Sequence, residues 1–125
     1  MTHFGIYRNG ELKTSPFKEG WEELAGLVGG YIEHIMIPDL ADKGIDLWVN
    51  DEGKLIGLEP TIGLMRDGRL VDVLNGTVVF TRFAGAETHG LTDADVEFIR
   101  EFLNGTDGCF VLYDEGVAFI PFVEL

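Results

Sequence analysis

The chain reads Val28-Gly29-Gly30-Tyr31-Ile32-Glu33 at a predicted sharp reversal, and Leu47-Trp48-Val49-Asn50-Asp51-Glu52-Gly53-Lys54-Leu55 shortly afterwards. The glycine pair suits a left-handed helix cap, so a helix is predicted to end there. Residues 31–37 are rich in β-branched and apolar side chains and predict a central strand. The second stretch predicts a hairpin in which strands 45–49 and 54–58 flank the Asn50–Gly53 turn.

Upstream of the glycine pair, the sequence predicts an amphipathic helix over about residues 16–29. Ser15 is suited to cap the helix, and Pro16 would occupy its first turn. Apolar side chains recur at helical spacing along one face, at Phe17, Trp21, Leu24 and Val28.

A second helix is predicted over 92–104, because Thr92 and Asp95 have the spacing of a capping box. Tight turns are predicted at Asn9-Gly10 and at Asp114-Glu115-Gly116. Residues 77–83 read as a strand.

Two segments are less clear in the sequence. Residues 84–90 read as a glycine-rich loop. Within 59–74, Asp67-Gly68 fits either a hairpin turn or the end of a short helix that begins near Pro60.

Taken together, these patterns predict one α+β domain over residues 1–125. Strands joined by tight turns outnumber helices, which favours a mainly antiparallel or mixed sheet packed against two main helices. Exposed sheet edges make a homodimer conceivable.

Composition narrows the classes of function. The chain has 22 acidic and 9 basic side chains and a net charge of −13. Residues 84–125 hold nine of the acids and one base, Arg100. Such a charge repels nucleic acid directly and favours basic protein partners.

The single cysteine, Cys109, excludes an internal disulfide. With no membrane span or signal sequence recognised, we expect a cytoplasmic protein.

The sequence contains no recognisable catalytic or cofactor-binding motif. No phosphate-binding glycine motif occurs, and the three histidines lack the spacing of metal ligands. The one serine, Ser15, is assigned to a helix cap. We therefore expect no enzyme activity and no cofactor.

The two opening stretches, together with Thr77-Val78-Val79-Phe80 and Leu91-Thr92-Asp93-Ala94-Asp95, resemble a domain family of unknown function from bacteriophages, plasmids and actinobacteria. The resemblance covers roughly residues 24 to 103. It implies a small phage-type accessory protein, present in the cytoplasm of a bacterial host, and it brings no catalytic residue. Where the family often has proline and asparagine after the central hairpin, this chain has Pro60-Thr61.

One helix face combines charge and regular spacing. Asp93, Glu97 and Glu101 fall at intervals of four residues, ~6 Å apart along a helix. A carboxylate row of this kind can compete with DNA phosphates for a basic groove. We add the nearby acids and the central hairpin to the candidate protein-binding set, namely Asp95, Glu87, Trp48, Asp51 and Glu52.

The sequence thus leads us to expect a non-enzymatic phage-type accessory protein that binds a basic host protein through its acidic surface, as a DNA mimic or an inhibitor of a host defence. On this hypothesis, lysine at positions 93, 97 and 101 abolishes binding and leaves folding intact. The alternative is a small-ligand or nucleotide-binding module that uses the loop at 85–90 and the turn near Asn50.

Overall fold

The computed structural model describes all 125 residues, which form ten strands and three helices. In chain order these are β1 (His3–Arg8), β2 (Glu11–Pro16), α1 (Trp21–Val28), β3 (Ile32–Ile35), α2 (Pro38–Ala41), β4 (Ile45–Asn50), β5 (Pro60–Arg66), β6 (Arg69–Asn75), β7 (Val78–Ala84), β8 (Glu87–His89), α3 (Asp93–Asn104), β9 (Gly108–Tyr113) and β10 (Gly116–Glu124).

The strands form two sheets. The first is antiparallel throughout, in the order β2-β1-β7-β4-β3, with β8 added beside β7. The second has the order β6-β5-β10-β9 and contains one parallel pair, β5 with β10, in which Phe122 lies opposite Gly63. The predicted α+β class with mainly antiparallel strands is confirmed. One sheet was predicted, whereas the structure has two.

The main core lies between the two sheets and takes in one face of α3. It holds 17 buried residues, among them Leu47 and Phe80 from the first sheet, Leu64 from the second and Ile99 from α3. The other face of the first sheet carries α1 over a smaller cluster, composed of Phe4, Leu24, Val28 and Val79. Helix α1 has only eight residues and leaves part of that face uncovered.

The two stretches that open the sequence analysis meet in space. Gly29 caps α1 in the left-handed conformation, with φ of 82°. The buried Asn50 side chain donates to the Val28 carbonyl at 3.2 Å and accepts from the Glu52 amide at 2.8 Å. A Cβ on Gly30 would lie 2.9 Å from Asn50 Nδ2. The glycine pair is therefore needed both for the cap and for the approach of this asparagine.

This contact gives a first testable prediction. Replacing Asn50 by alanine should lower the free energy of unfolding by about 2 kcal/mol, because two hydrogen bonds are lost and a buried carbonyl is left unpaired. Urea unfolding followed by tryptophan fluorescence measures the change. An Asn50→Ala protein within about 0.5 kcal/mol of wild type would contradict it, since that is the range of neutral surface substitutions.

The start predicted for the first helix, near residue 16, is wrong. Residues 11–16 form strand β2, with Pro16 opposite His3, so Ser15 caps no helix. Phe17 lies outside the helix and packs its ring 5.0 Å from that of Phe4. The helix begins only at Trp21, after Gly20 at a φ of 111°.

The predicted central hairpin is also wrong. Strand β4 pairs with β3 and β7, and residues 51–57 form consecutive turns in place of a returning strand. The Asp51 amide donates to the Tyr31 carbonyl and the Leu58 amide to the Gly53 carbonyl, which holds the turns in place. Strand β3 lies at the edge of its sheet, whereas a central position was predicted.

Several turn predictions are confirmed. Asn9 and Gly10 have positive φ and join β1 to β2, and Asp114-Glu115 joins β9 to β10. The undecided segment 59–74 is a hairpin in which Asp67 and Gly68 have φ of 53° and 76°. The predicted loop at 84–90 contains a further hairpin, β7 with β8. Thr92 and Asp95 form the predicted capping box.

Candidate interaction surfaces

The eight candidate protein-binding residues lie in four different places. Three are on the exposed side of α3, two border a groove, two are on the turns after β4, and Asp95 is buried. In that order they are Asp93, Glu97 and Glu101, then Trp48 and Glu87, then Asp51 and Glu52, then Asp95. The set therefore does not form one continuous surface.

Asp95 serves the interior of the protein. Its two carboxylate oxygens accept from Arg82 Nε at 2.8 Å and Nη2 at 2.5 Å, and one of them also accepts from the Thr92 amide at 2.9 Å. Hydrogen bonding from Arg82 holds the pKa of Asp95 below its ordinary value, outweighing the opposing effect of burial. This carboxylate is committed to fixing α3 on β7 and is not free for a partner.

The remaining residues on α3 form the acidic row, defined here as Asp93, Glu97 and Glu101. All three are exposed, and the Asp93 side chain retains 93% of its accessible surface. Asp93 has a histidine beside it, and Glu97 has a cation. His3 Nε2 lies 2.7 Å from Asp93, and Arg100 Nε lies 3.6 Å from Glu97. The row is accessible, but its charge is partly balanced from within the chain.

Trp48 lies on the part of the first sheet that α1 leaves uncovered, beside the first turn of that helix. It forms part of the wall of two adjoining depressions of about 450 and 460 Å³, which we call the Trp48 groove. Both depressions also include Glu87 and Thr88 from β8. The half-buried indole donates to Thr81 Oγ1 at 2.8 Å and packs 5.0 Å from the His34 ring. It is therefore a fixed aromatic surface rather than a core residue.

The polar lining of the Trp48 groove is of mixed charge. His34 Nε2 lies 2.8 Å from Asp46, and His89 Nε2 lies 3.3 Å from Glu87. Lys18 adds one cation near Trp21. Trp21 was predicted to face the core, but 65% of it is exposed because the helix begins later than predicted. A planar ring could stack on the Trp48 indole in this groove. Because both signs of charge are present, the groove would show only a weak electrostatic preference for the substituents of that ring.

The C-terminal hairpin carries the most exposed apolar surface next to an open edge. Phe110 lies opposite Phe119, and Leu112 lies opposite Val117. The four side chains are 75%, 48%, 81% and 58% exposed, respectively, and the two phenyl rings meet edge to face at 5.4 Å. We call these four residues the hairpin face. Large exposed apolar patches on soluble proteins mark contact sites for other proteins or for membranes.

The opposite side of the same hairpin faces the protein. Cys109, Val111 and Tyr113 on β9 and Ala118 on β10 are half-buried, and Ile120 is fully buried. The cysteine has no disulfide partner. The inner side thus anchors the hairpin and leaves the outer side exposed.

Strand β9 differs from every other edge strand. Sheet edges normally carry charged residues or proline that prevent pairing with another chain. β2 has Glu11, Lys13 and Pro16, β3 has Glu33, β6 has Arg69 and Asp72, and β8 has Glu87, whereas β9 has no charged residue and no proline. β9 therefore lacks the charged and proline residues that protect the other edge strands from pairing with another chain.

Acidic residues stand at both ends of β9. Asp107 precedes the strand and Asp114-Glu115 follows it, all of them exposed. The chain contains no lysine or arginine after Arg100. The hairpin face is thus an apolar strip bordered by negative charge.

Sequence reasoning missed the hairpin face. Residues 109–113 form an unbroken apolar run, so no alternation marks the side that is exposed. The available signal was the absence of any charged residue over 108–113, combined with the acidic residue at each end.

Comparisons with known proteins supply a family but no activity. A family model described as "Domain of unknown function (DUF3846)" matches residues 6–104. No curated protein and no solved structure matches the chain. The hairpin of β9 and β10 lies beyond the matched residues, whereas the acidic row and the Trp48 groove lie within them.

No group of three or more histidine, cysteine, aspartate or glutamate side chains is placed to hold a metal ion. None of the helices has the length and apolar character needed to cross a membrane.

Proposed function

The chain belongs to the DUF3846 family, a domain of unknown function, and we propose that it is a non-enzymatic module that binds a basic protein partner through the hairpin face. The observation that carries this proposal is the group of four large apolar side chains left exposed on one side of the C-terminal hairpin. Their desolvation by a partner would favour binding through the hydrophobic effect.

The charge around the hairpin face supports a basic partner. Asp107, Asp114 and Glu115 border it, and the whole chain carries a net charge of −13. Apolar contacts at the centre supply affinity, while charges at the rim raise the association rate and exclude acidic competitors. The acidic row on α3 adds to this attraction at longer range.

The structure weighs against a DNA mimic as the mode of binding. In the acidic row Glu97 is paired with Arg100 and Asp93 lies within hydrogen-bond distance of His3, and Asp95 is buried. A partner that needed a phosphate-like row would meet fewer free charges than the sequence suggests. The phage-type setting and a host protein as partner remain part of the proposal, carried by the resemblance described above.

The test is a binding comparison among variants. The tagged protein would capture partners from a lysate of its own host, and any candidate would be purified and titrated against wild type. We expect a complex that survives about 0.5 M salt. At that concentration, screening shortens the range of the attraction between exposed charges to a few ångströms. A partner that binds Phe110→Thr/Leu112→Thr as tightly as wild type would overturn the proposal.

The acidic row gives a separate prediction. Replacing Asp93, Glu97 and Glu101 by asparagine or glutamine should slow association with the purified partner about tenfold and leave the dissociation rate unchanged. Stopped-flow kinetics at low and high salt measure both rates. A faster dissociation would place the row inside the interface, as the sequence hypothesis expected.

The Trp48 groove favours a second candidate function, the binding of a nucleobase or a similar planar ring. Its aromatic wall and volume of about 450 Å³ fit the size range of small-molecule sites. Thermal unfolding with a panel of nucleosides and nucleotides tests it, since a ligand at ~100 times its dissociation constant adds ~2.7 kcal/mol of stability. Stabilisation that is retained by Trp48→Leu would contradict a site at this groove.

A further inference from the structure

We propose that β9 binds its partner by strand addition, and that the bound segment is an extended peptide with alternating apolar residues and lysine or arginine at both ends. This inference rests on the proposed function and specifies how the hairpin face is used. It begins from the position of β9 at the outer end of the second sheet, with β10 on one side and no strand on the other.

The open edge of β9 supplies backbone hydrogen-bonding groups. In an antiparallel pair, every second residue directs its N–H and C=O away from the neighbouring strand. On β9 these groups point away from β10, along six consecutive residues without proline. An added strand would satisfy them through main-chain bonds, which bring affinity with little dependence on sequence.

The side chains of β9 then define what the added strand should contain. Phe110 and Leu112 project on the exposed side and present an apolar surface to alternate residues of the peptide. Cross-strand pairs of aromatic with β-branched residues are favourable in such positions. We therefore expect valine, isoleucine or threonine at alternate positions of the bound segment.

The acidic residues at the two ends of β9 define the charges that the bound peptide should carry. Asp107 and Asp114 are seven residues apart, which corresponds to about 24 Å of extended chain. A peptide of about eight to ten residues spans this distance and places its terminal side chains next to the two acids. Lysine or arginine at both ends would be attracted in either strand direction.

A second copy of the chain is a poorer occupant. If β9 paired antiparallel with its own copy about Val111, Asp107 of each copy would lie opposite Glu115 of the other. Like charges would then face each other at both ends, between two molecules that each carry a charge of −13. Opposed like charges destabilise a strand pair, so the sequence of β9 selects against self-pairing.

The experiment starts from a displayed library of random decapeptides, panned on wild type and on Phe110→Thr/Leu112→Thr. Threonine keeps the strand propensity of these positions and removes their apolar surface. Leu55→Thr/Ile56→Thr is the matched control, because these two residues are 87% and 57% exposed on the turns after β4, outside the second sheet. We expect wild type and the control, but not the hairpin variant, to enrich peptides with alternating apolar residues and basic ends.

Synthetic peptides from the enriched sequences then test the main-chain bonds. One version is N-methylated at its odd positions and another at its even positions. Only one of the two sets of peptide amides faces β9. The version methylated on that set should bind at least tenfold more weakly than the unmethylated peptide, and the other version should bind as tightly as the unmethylated peptide. Amide exchange of the protein should slow at alternate residues of β9 when the unmodified peptide is bound.

The outcomes separate this inference from the proposed function. Equal binding by both methylated versions, or unchanged amide exchange on β9, would overturn strand addition and leave contact through the hairpin face standing. Enrichment of acidic-ended peptides, or no enrichment over the hairpin variant, would overturn the proposed peptide. A dimer in sedimentation that disappears in Phe110→Thr/Leu112→Thr would assign β9 to a second copy and overturn it as well.

Discussion

Replacement of Asp95 by alanine is expected to lower the free energy of unfolding by about 3 kcal/mol. The substitution leaves Arg82 without its bidentate partner and removes half of the α3 capping box. Loss of one member of a buried ion pair costs about 3–5 kcal/mol, and loss of a cap about 1 kcal/mol. We take the lower end because about a third of the Arg82 side chain is exposed and water can solvate it.

Urea unfolding measures this loss, and Glu101→Ala on the exposed side of α3 is the matched control. The control should lie within about 0.5 kcal/mol of wild type. An Asp95→Ala protein as stable as the control would mean that the ion pair does not fix α3 to β7.

The same contact predicts a pH dependence. Because the folded protein lowers the pKa of Asp95, the unfolded chain binds that proton more readily. The stabilisation is therefore complete above the ordinary aspartate pKa of about 4 and is lost as the pH falls through the lower folded value. The difference in stability between wild type and Asp95→Asn should shrink below about pH 4. A difference that stayed constant down to pH 2.5 would contradict this assignment.

Removal of apolar surface from the hairpin face is expected to abolish partner binding without unfolding the protein. Phe110→Thr/Leu112→Thr should weaken the complex at least about 100-fold, since aromatic and aliphatic anchors at an interface centre cost about 2 kcal/mol or more when truncated. Its own stability should change by less than about 1 kcal/mol, because both residues are exposed. Titration calorimetry and urea unfolding measure the two quantities, with Leu55→Thr/Ile56→Thr as the control. Equal weakening of both variants would point to a general loss of surface hydrophobicity.

Local turn and cap chemistry could be predicted from the sequence. Asn9-Gly10 and Asp114-Glu115-Gly116 are turns, and Thr92 caps α3, because short-range geometry decides each of them. The helix start could not be predicted, since the spacing of Phe17 and Trp21 is the same whether Phe17 lies on a helix or packs from an extended segment. Its contact with Phe4 depends on the pairing of β1 with β2.

Long-range pairing explains the remaining errors in the fold. The second sheet requires β10 to lie parallel to β5, with Phe122 opposite Gly63, and nothing local in either strand indicates this partner. The predicted central hairpin failed for a related reason. Asn50 and Asp51 bond to Val28 and Tyr31 across the glycine bend, which competes successfully with a tight β-turn.

The candidate site was predicted in part. The exposure of Asp93, Glu97 and Glu101 follows from helical periodicity and is found in the structure. Asp95 was assigned both to a capping box and to an acidic surface, and only the first role fits a buried carboxylate that is paired with Arg82. The hairpin face needed the structure, because only the pairing of β9 with β10 shows which side of an apolar run is exposed.

Site-specific photo-crosslinking in living host cells tests the central claim most directly. A benzophenone amino acid would replace Leu112 on the hairpin face in one protein and Leu55, which is 87% exposed on the turns after β4, in another. We predict that irradiation gives a single discrete adduct with a basic protein from position 112 and none from position 55. A discrete adduct from position 55 alone, or none from position 112, would contradict the assignment of the hairpin face as the partner-binding surface.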